Sequence, residues 1–338
     1  MREASHYSRE EGGRVRCRLC HFNCLISDGK RGICTVRENR GGTLYTLVYG
    51  RICAEGVDPV EKKPLFHFMP GSLTYSIATR GCNFRCGFCQ NYMISQLPSD
   101  IWPDEPELSP ETVVGRAVAS QCTSISYTYT EPSIFYEFAL DTAKKAAEAG
   151  LKNIFVTNGY TGREALDEIA PFLDAANIDL KGFSESFYRD VVHAELGRVL
   201  ETIIDYKNHG IWIELTTLLI PGMNDSEKEL RGIASFMVKN LGADTPWHVT
   251  GFRPAYRFWR YDEKEETTLE KAREIGISEG LNYVYTGNIP GGYGEDTFCP
   301  GCGNVLIKRE GFAMLACRVA DGRCPGCGRE IAGYRLCH

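Results

Sequence analysis

Cys82, Cys86 and Cys89 stand in a Cys-x3-Cys-x2-Cys pattern within Arg80-Gly-Cys82-Asn-Phe-Arg-Cys86-Gly-Phe-Cys89-Gln-Asn91. Three thiolates on one glycine-bearing loop suit three corners of a [4Fe–4S] cubane and leave the fourth iron open to an exogenous chelate. The amino and carboxylate groups of S-adenosylmethionine (SAM) fit that open position. A reduced cluster could then pass one electron to the sulfonium and break a carbon–sulfur bond, the cofactor carrying the chemistry while the protein orients it and excludes water. Phe88, just before the third cysteine, would shield the cluster. A zinc knuckle or unrelated buried thiols are the competing reading, and the elements around the loop speak against it.

Further cysteines gather at both ends. The head offers Cys17-x2-Cys20-x3-Cys24 and then Cys34, four thiolates that suit either zinc or an electron-relay cluster as second metal; spacing alone does not decide. His21 could replace a thiol, but beside Cys20 it is expected at the surface. In the tail, Cys299-Pro-Gly-Cys302-Gly and Cys324-Pro-Gly-Cys327-Gly form a repeated knuckle whose separation fits two hairpin turns clasping one tetrahedral ion. Structural zinc is the straightforward reading and an auxiliary iron–sulfur cluster the alternative. Cys53, Cys122, Cys317 and Cys337 have no partner spacing and read as buried apolar groups or bystanders.

Between the ends, short apolar runs predict strands at Thr74–Thr79, Ser124–Thr128, Asn153–Thr157, Ala175–Leu180, Trp212–Leu219 and Trp247–Phe252, with Asn282–Thr286 as a possible last one. Helical stretches such as Pro132–Ala149 and Asp225–Leu241 follow them. Repeated β-α units demand a parallel sheet. The expected fold is α/β: a partial (β/α)6 TIM-like barrel over residues 73–296, with a Cys-rich metal-binding module over 1–72 and a zinc-ribbon-like module over 297–338. In such barrels chemistry collects at the C-terminal ends of the strands, and the cysteine motif follows the first of them.

The motif, its place after the first strand and the segments after later strands resemble the radical SAM superfamily, on its glycyl-radical-enzyme activase branch, over most of residues 74–255. The head, Cys17-Arg-Leu-Cys-His-Phe-Asn-Cys24 with Gly-Ile-Cys34-Thr-Val-Arg37-Glu-Asn and Asp58-Pro-Val-Glu-Lys-Lys-Pro-Leu-Phe-His67-Phe, is similar to the AmmeMemoRadiSam system radical SAM proteins, as is the tail. The resemblance implies a SAM site. Tyr127-Thr-Tyr-Thr-Glu131-Pro132 stands where the superfamily commonly carries Gly-Gly-Glu at the segment holding the SAM amino group; only the glutamate matches, and backbone carbonyls at Thr128–Thr130 could serve whatever their side chains. Glu131-Pro132 also reads as a plain helix start. Thr157-Asn158-Gly159 and Asp179-Leu-Lys181-Gly182 resemble activase segments lining SAM, with Lys181 reaching its carboxylate and Asp179 its ammonium or a cation; an ordinary Asp–Lys pair is the alternative. Val156 replaces a metal-supporting Asp of activases, which argues against a bound monovalent cation. Arg253 in Phe252-Arg253-Pro254 stands where relatives carry a histidine contacting the ribose, and could donate to hydroxyls or a substrate carboxylate instead; a solvated or salt-bridged loop arginine is the alternative.

The remaining features are read as structure. His248 lies within a strand as a core histidine, Asn224 or Asp225 caps the helix after Pro221-Gly222, Glu61-Lys-Lys63 is a solvated face, and Gly287–Gly294 is a linker lacking the Lys-Ser/Thr of a phosphate loop. A net charge of −6 over 338 residues disfavours a general nucleic-acid partner, no apolar run approaches the roughly 20 residues of a membrane span, and Met1–Arg16 shows no signal-peptide core, so the cytoplasm is expected. The expected function is reductive SAM cleavage and hydrogen abstraction from an unidentified small molecule or peptide. Installing a glycyl radical on a partner enzyme is the second hypothesis, and a non-enzymatic electron carrier or zinc-dependent interaction module the third. An external one-electron reductant such as ferredoxin or flavodoxin is implied. The family name adds Memo-like and AMMECR-like proteins as partners.

Overall fold

The computed structural model describes residues 1–96, 98, 105–261, 266–288 and 294–337, and of 266 and 267 the backbone alone. Its core is one eight-stranded sheet whose strands follow each other in sequence order. We number them β1 (Ala54–Pro59), β2 (Leu73–Ala78), β3 (Ser124–Tyr127), β4 (Lys152–Thr157), β5 (Ala175–Asp179), β6 (Trp212–Leu219), β7 (Trp247–Gly251) and β8 (Val284–Gly287). β2 to β8 are parallel, and β1 pairs antiparallel with β2 from Ala54 opposite Ala78 to Pro59 opposite Leu73. Parallel neighbours require crossovers, supplied in turn by α1 (Pro110–Ala119), α2 (Tyr136–Glu148), α3 (Arg163–Ile169), α4 (Leu196–Asn208), α5 (Glu227–Asn240) and α6 (Glu266–Ser278). The result is an open (β/α)6 barrel with the seventh parallel strand that Asn282–Thr286 suggested.

Local sequence explains the elements. β3 is buried at every residue, as expected of a strand covered on both faces. Ser109 and Pro110 start α1, the serine hydroxyl accepting from the Thr112 amide. α5 begins at Ser226, which accepts from the Glu229 amide, so neither Asn224 nor Asp225 is its cap. Asn224 is instead fully buried, its Oδ1 accepting from Ile220 N and its Nδ2 donating to the carbonyls of Leu218 and Lys181. It ties the turn after β6 to the end of β5.

The barrel floor is closed by residues 60–72. Glu214 of β6, fully buried, accepts from the amides of Phe66 and His67 and from His248 Nε2 at 2.7 Å. His248 is thus the core histidine expected of it. Glu61-Lys-Lys63 is not a solvated face: Glu61 and Lys63 are each 1% exposed. Glu61 accepts from Gly71 N and faces Arg309 of the tail. The tail, a three-stranded sheet of Thr297–Phe298, Val305–Glu310 and Ala313–Cys317, docks on this floor through Arg309, which donates to Phe66 O, and through Ala332 O, which meets His67 Nδ1. Cys317 and Cys337, taken from sequence as unpaired, are joined in a disulfide across the tail, a pairing that spacing alone gave no sign of. Residues 289–293 of the linker reading lie outside the described residues. Among the described residues no helix is long and apolar enough to cross a membrane.

Candidate active site

Seven parallel strands end at one mouth, and residues at their ends or just beyond them line a single cavity of about 500 Å³. Behind β2 come Cys82, Cys86, Phe88 and Cys89; behind β3, Thr128–Glu131; behind β4, Asn158; behind β5, Lys181. The last residues of β4 to β7 add Thr157, Asp179, Thr216, Leu218 and Thr250, and Asn288 lies just beyond β8. Sequence-predicted Glu131, Thr157, Asn158, Asp179 and Lys181 are therefore brought together with the three motif cysteines. Arg253 is not: it is exposed beyond β7, and its contribution there is a main-chain carbonyl accepting from Gln90 Nε2 at 2.7 Å. A second cavity, about 590 Å³, lies at the opposite ends of the strands against Tyr334 and holds none of these groups.

Glu131 is the hub of the site. It is 1% exposed, and its carboxylate accepts from Ser133 N, Ser133 Oγ and Thr157 Oγ1 on one oxygen and from Asn158 N at 2.8 Å on the other. The Ser133 bond makes it the cap of the turn Pro132–Phe135, so the plain helix-start reading also describes what it does. Burial raises its pKa, against these donors, which lower it. Asn158 passes the connection on: its Nδ2 donates to Asn83 Oδ1 at 2.7 Å and lies 3.9 Å from Cys82 Sγ. Lys181 and Asp179 form a pair at 2.9 Å, with the Lys181 ammonium 5.8 Å from the Phe88 ring centre. Burial works to lower the Lys181 pKa, but Asp179 and the Cys86 sulfur outweigh it and the pKa is raised, so this cation persists inside the cavity.

Sequence reasoning missed the cavity's inner wall. Lys62 and Lys63 reach it from the floor, and both ammoniums bond to Asp58 of β1 at 2.7 Å. Tyr129 adds its hydroxyl to the same carboxylate and its ring lies 4.5 Å from Lys63 Nζ. It does so at φ +63°, in the left-handed region that favours glycine. Its carbonyl accepts from Asn91 Nδ2 and that of Thr128 from Thr130 N, leaving one lone pair on each. The dipeptide Lys62-Lys63 gave no sign of this, because inward direction depends on the antiparallel return of β1.

The motif cysteines fit a cluster. Cys86 is buried, and burial pushes its thiol up to about 12, so thiolates at this depth need a cation's charge to offset them. Residues 76–233 match the Radical SAM superfamily. The chain belongs to the radical SAM superfamily. Its enzymes imply a [4Fe–4S] cluster and SAM, and this cavity offers three thiolates beside buried acceptors and a cation. The chain is 45% identical over 333 residues, 98% of its own length and 99% of the relative's, to Uncharacterized protein MJ0808 of Methanocaldococcus jannaschii. It is 22% identical to the 4-hydroxyphenylacetate decarboxylase activating enzyme of Clostridium scatologenes, over 49% of this chain and 57% of that one. Among solved structures, Streptococcus suis SuiB bound to S-adenosylmethionine aligns with a TM-score of 0.51 at 14% identity, covering 71% of this chain and 56% of that one, a likeness of fold alone.

The tail cysteines form a separate centre. Cys299, Cys302, Cys324 and Cys327 place their sulfurs all within 4.8 Å of one another, with Cys299 and Cys327 at 3.5 Å and Cys302 and Cys324 at 3.6 Å. Gly301 N points at Cys299 Sγ. In the head, Cys17, Cys20, Cys24 and Cys34 all line one small pocket walled by Leu19, Phe22, Ile26, Ile33 and Ile134. His21 is half-buried rather than at the surface, bonded to Thr202 Oγ1 and edge-on to Tyr160.

Proposed function

We propose that this radical SAM enzyme abstracts hydrogen from a small-molecule or peptide substrate admitted at the strand-end mouth, and that it is of the AmmeMemoRadiSam kind. The observation that carries the reading is the convergence of Cys82, Cys86 and Cys89 with Glu131, Asn158, Asp179 and Lys181 on one cavity. When bound, the cluster supplies one electron to the SAM sulfonium and so yields methionine and a 5′-deoxyadenosyl radical. Glu131 would receive the SAM ammonium on the oxygen that now takes one donor, from Asn158 N. Lys181 would meet the SAM carboxylate, with Asp179 orienting the lysine. Thr157 and Asn158 would hold Glu131 and the Cys82 sulfur in register, and Phe88 would keep water from the thiolates. Arg253 has no part in this reading. The tail cysteines would hold zinc, since sulfurs about 3.8 Å apart match a tetrahedral ion with metal–sulfur bonds of about 2.3 Å.

An external ferredoxin or flavodoxin would supply the electron, and Memo-like and AMMECR-like proteins are proposed partners in the cytoplasm. A second reading, activation of a glycyl-radical enzyme, is favoured by the kinship with the 4-hydroxyphenylacetate decarboxylase activating enzyme. Anaerobic incubation with deuterated candidate substrates tests the first: deuterium should appear in 5′-deoxyadenosine. A stable glycine-centred radical on an added protein would select the second. Undiminished 5′-deoxyadenosine formation after Cys82, Cys86 and Cys89 are all changed to Ala would overturn both.

A further inference from the structure

We propose that the head pocket holds a second iron–sulfur cluster, of the [4Fe–4S] type, and that it passes electrons to the motif cluster across Asn83. Three observations carry this. First, the four head cysteines line one enclosed pocket, with Cys17 and Cys34 buried. The tail four all lie within 4.8 Å of one another, the spacing of ligands to a single ion; among the described residues neither the head cysteines nor the three motif cysteines close to that spacing. The head therefore shares the wider spread of the thiolates that serve a cubane, and a four-iron core separates its thiolates further than one zinc ion does.

Second, Asn83 is 1% exposed and its Nδ2 has no partner, although an orphaned buried donor is costly. The residue lines the head pocket, while its Oδ1 accepts from the Asn158 amide that also approaches Cys82 Sγ. A cluster sulfur in the pocket would supply the missing acceptor.

Third, the head is pressed onto the motif loop rather than tethered to it. Gly81 has φ +94°, and a Cβ there would fall 2.5 Å from Val36 Cγ1 and 2.9 Å from Cys34 O. Arg85 Nη1 donates to Cys82 O while its Nη2 donates to Ile33 O, one residue before Cys34. Phe22 of the head meets Phe84 of the motif loop edge-on, and Tyr160 packs against both. Asn83, the neighbour of Cys82 on the motif loop, itself lines the head pocket.

The electron count is simple. A low-potential one-electron protein donor reduces the head cluster from the 2+ to the 1+ state; the head cluster returns to 2+ as it reduces the motif cluster, whose electron goes to the sulfonium. No proton moves in the transfer between clusters.

The test uses the full chain reconstituted anaerobically. Two cubanes predict about eight iron atoms per chain, and Cys20→Ser with Cys24→Ser should remove about four of them. Electron paramagnetic resonance of the doubly reduced protein should show spin–spin broadening that this variant lacks. Asn83→Leu should keep all the iron and lower the head cluster's midpoint potential, because a hydrogen bond to sulfur favours the reduced state. Four iron atoms and a head zinc in the unaltered protein would overturn the proposal without recourse to any variant, as would eight iron atoms with no magnetic interaction. The motif cluster's spectral change on adding SAM, read in the same samples, reports on the catalytic reading separately.

Discussion

Tyr129 holds the Asp58 carboxylate from a backbone conformation that costs an L-residue energy, φ +63°. Burial and the carboxylate push its hydroxyl pKa up to about 12, so the group stays a donor at neutral pH. Tyr129→Phe keeps the ring over Lys63 and removes this bond. A loss of about 1.5–3 kcal/mol is expected for a hydrogen bond to a charged group, seen as a lower urea midpoint. A variant as stable as the parent would show that the two lysines and the Ser76 hydroxyl, which also donates to Asp58 at 2.7 Å, satisfy the carboxylate alone.

Glu131→Gln keeps shape and one carbonyl but turns an amide NH2 toward protein donors. It should weaken SAM binding roughly tenfold to a hundredfold, and also cost about 1–3 kcal/mol of stability because a buried donor then faces a donor. Calorimetry with SAM and thermal unfolding without it separate the two effects. Normal affinity with lowered stability would make Glu131 a strut between β3 and β4 and nothing more.

His67 sets an acid limit on the fold. Its Nδ1 meets Ala332 O and its Nε2 the Tyr285 hydroxyl, a pairing complete for the neutral ring, and burial lowers its pKa to about 4. Between about 4 and the unfolded value near 6.5 the unfolded chain binds a proton that the native one does not, so stability rises with pH across that window and is lost on acidification. Urea titrations at pH 7 and pH 5 should differ by about 2 kcal/mol. The difference should shrink in His67→Gln.

Cys302 and Cys327 are the exposed members of the tail set. Changing both to Ser should release about one zinc per chain with iron unchanged. Loss of iron would assign the tail a cluster instead. Deleting the tail is the wrong experiment, because Arg309 and Ala332 help to close the barrel floor.

The sequence announced the strands and the motif because burial on both faces leaves apolar runs and because thiolate spacing is chemically narrow. Cys82, Cys86, Cys89, Glu131, Asn158 and Lys181 each follow a strand and Asp179 lies at the end of one, so all could be placed on one rim. Lys63 could not: a lysine in a charged dipeptide usually faces water, and its inward direction is set by Asp58 on a strand that returns antiparallel to β2. Arg253 erred the other way, since a position in a motif says nothing about where a long side chain points. The Cys317–Cys337 link likewise depends on how the last turn folds back on the tail sheet.

The floor also carries a schedule. The amides of Phe66 and His67 meet Glu214, 147 residues later for His67, and the His67 ring meets Ala332, 265 residues later. A chain emerging from the ribosome makes its plug early and the groups that hold it later. The two amides are met once Glu214 has emerged, but the ring stays hydrated until Ala332 follows, so the floor is sealed only after the tail has been made.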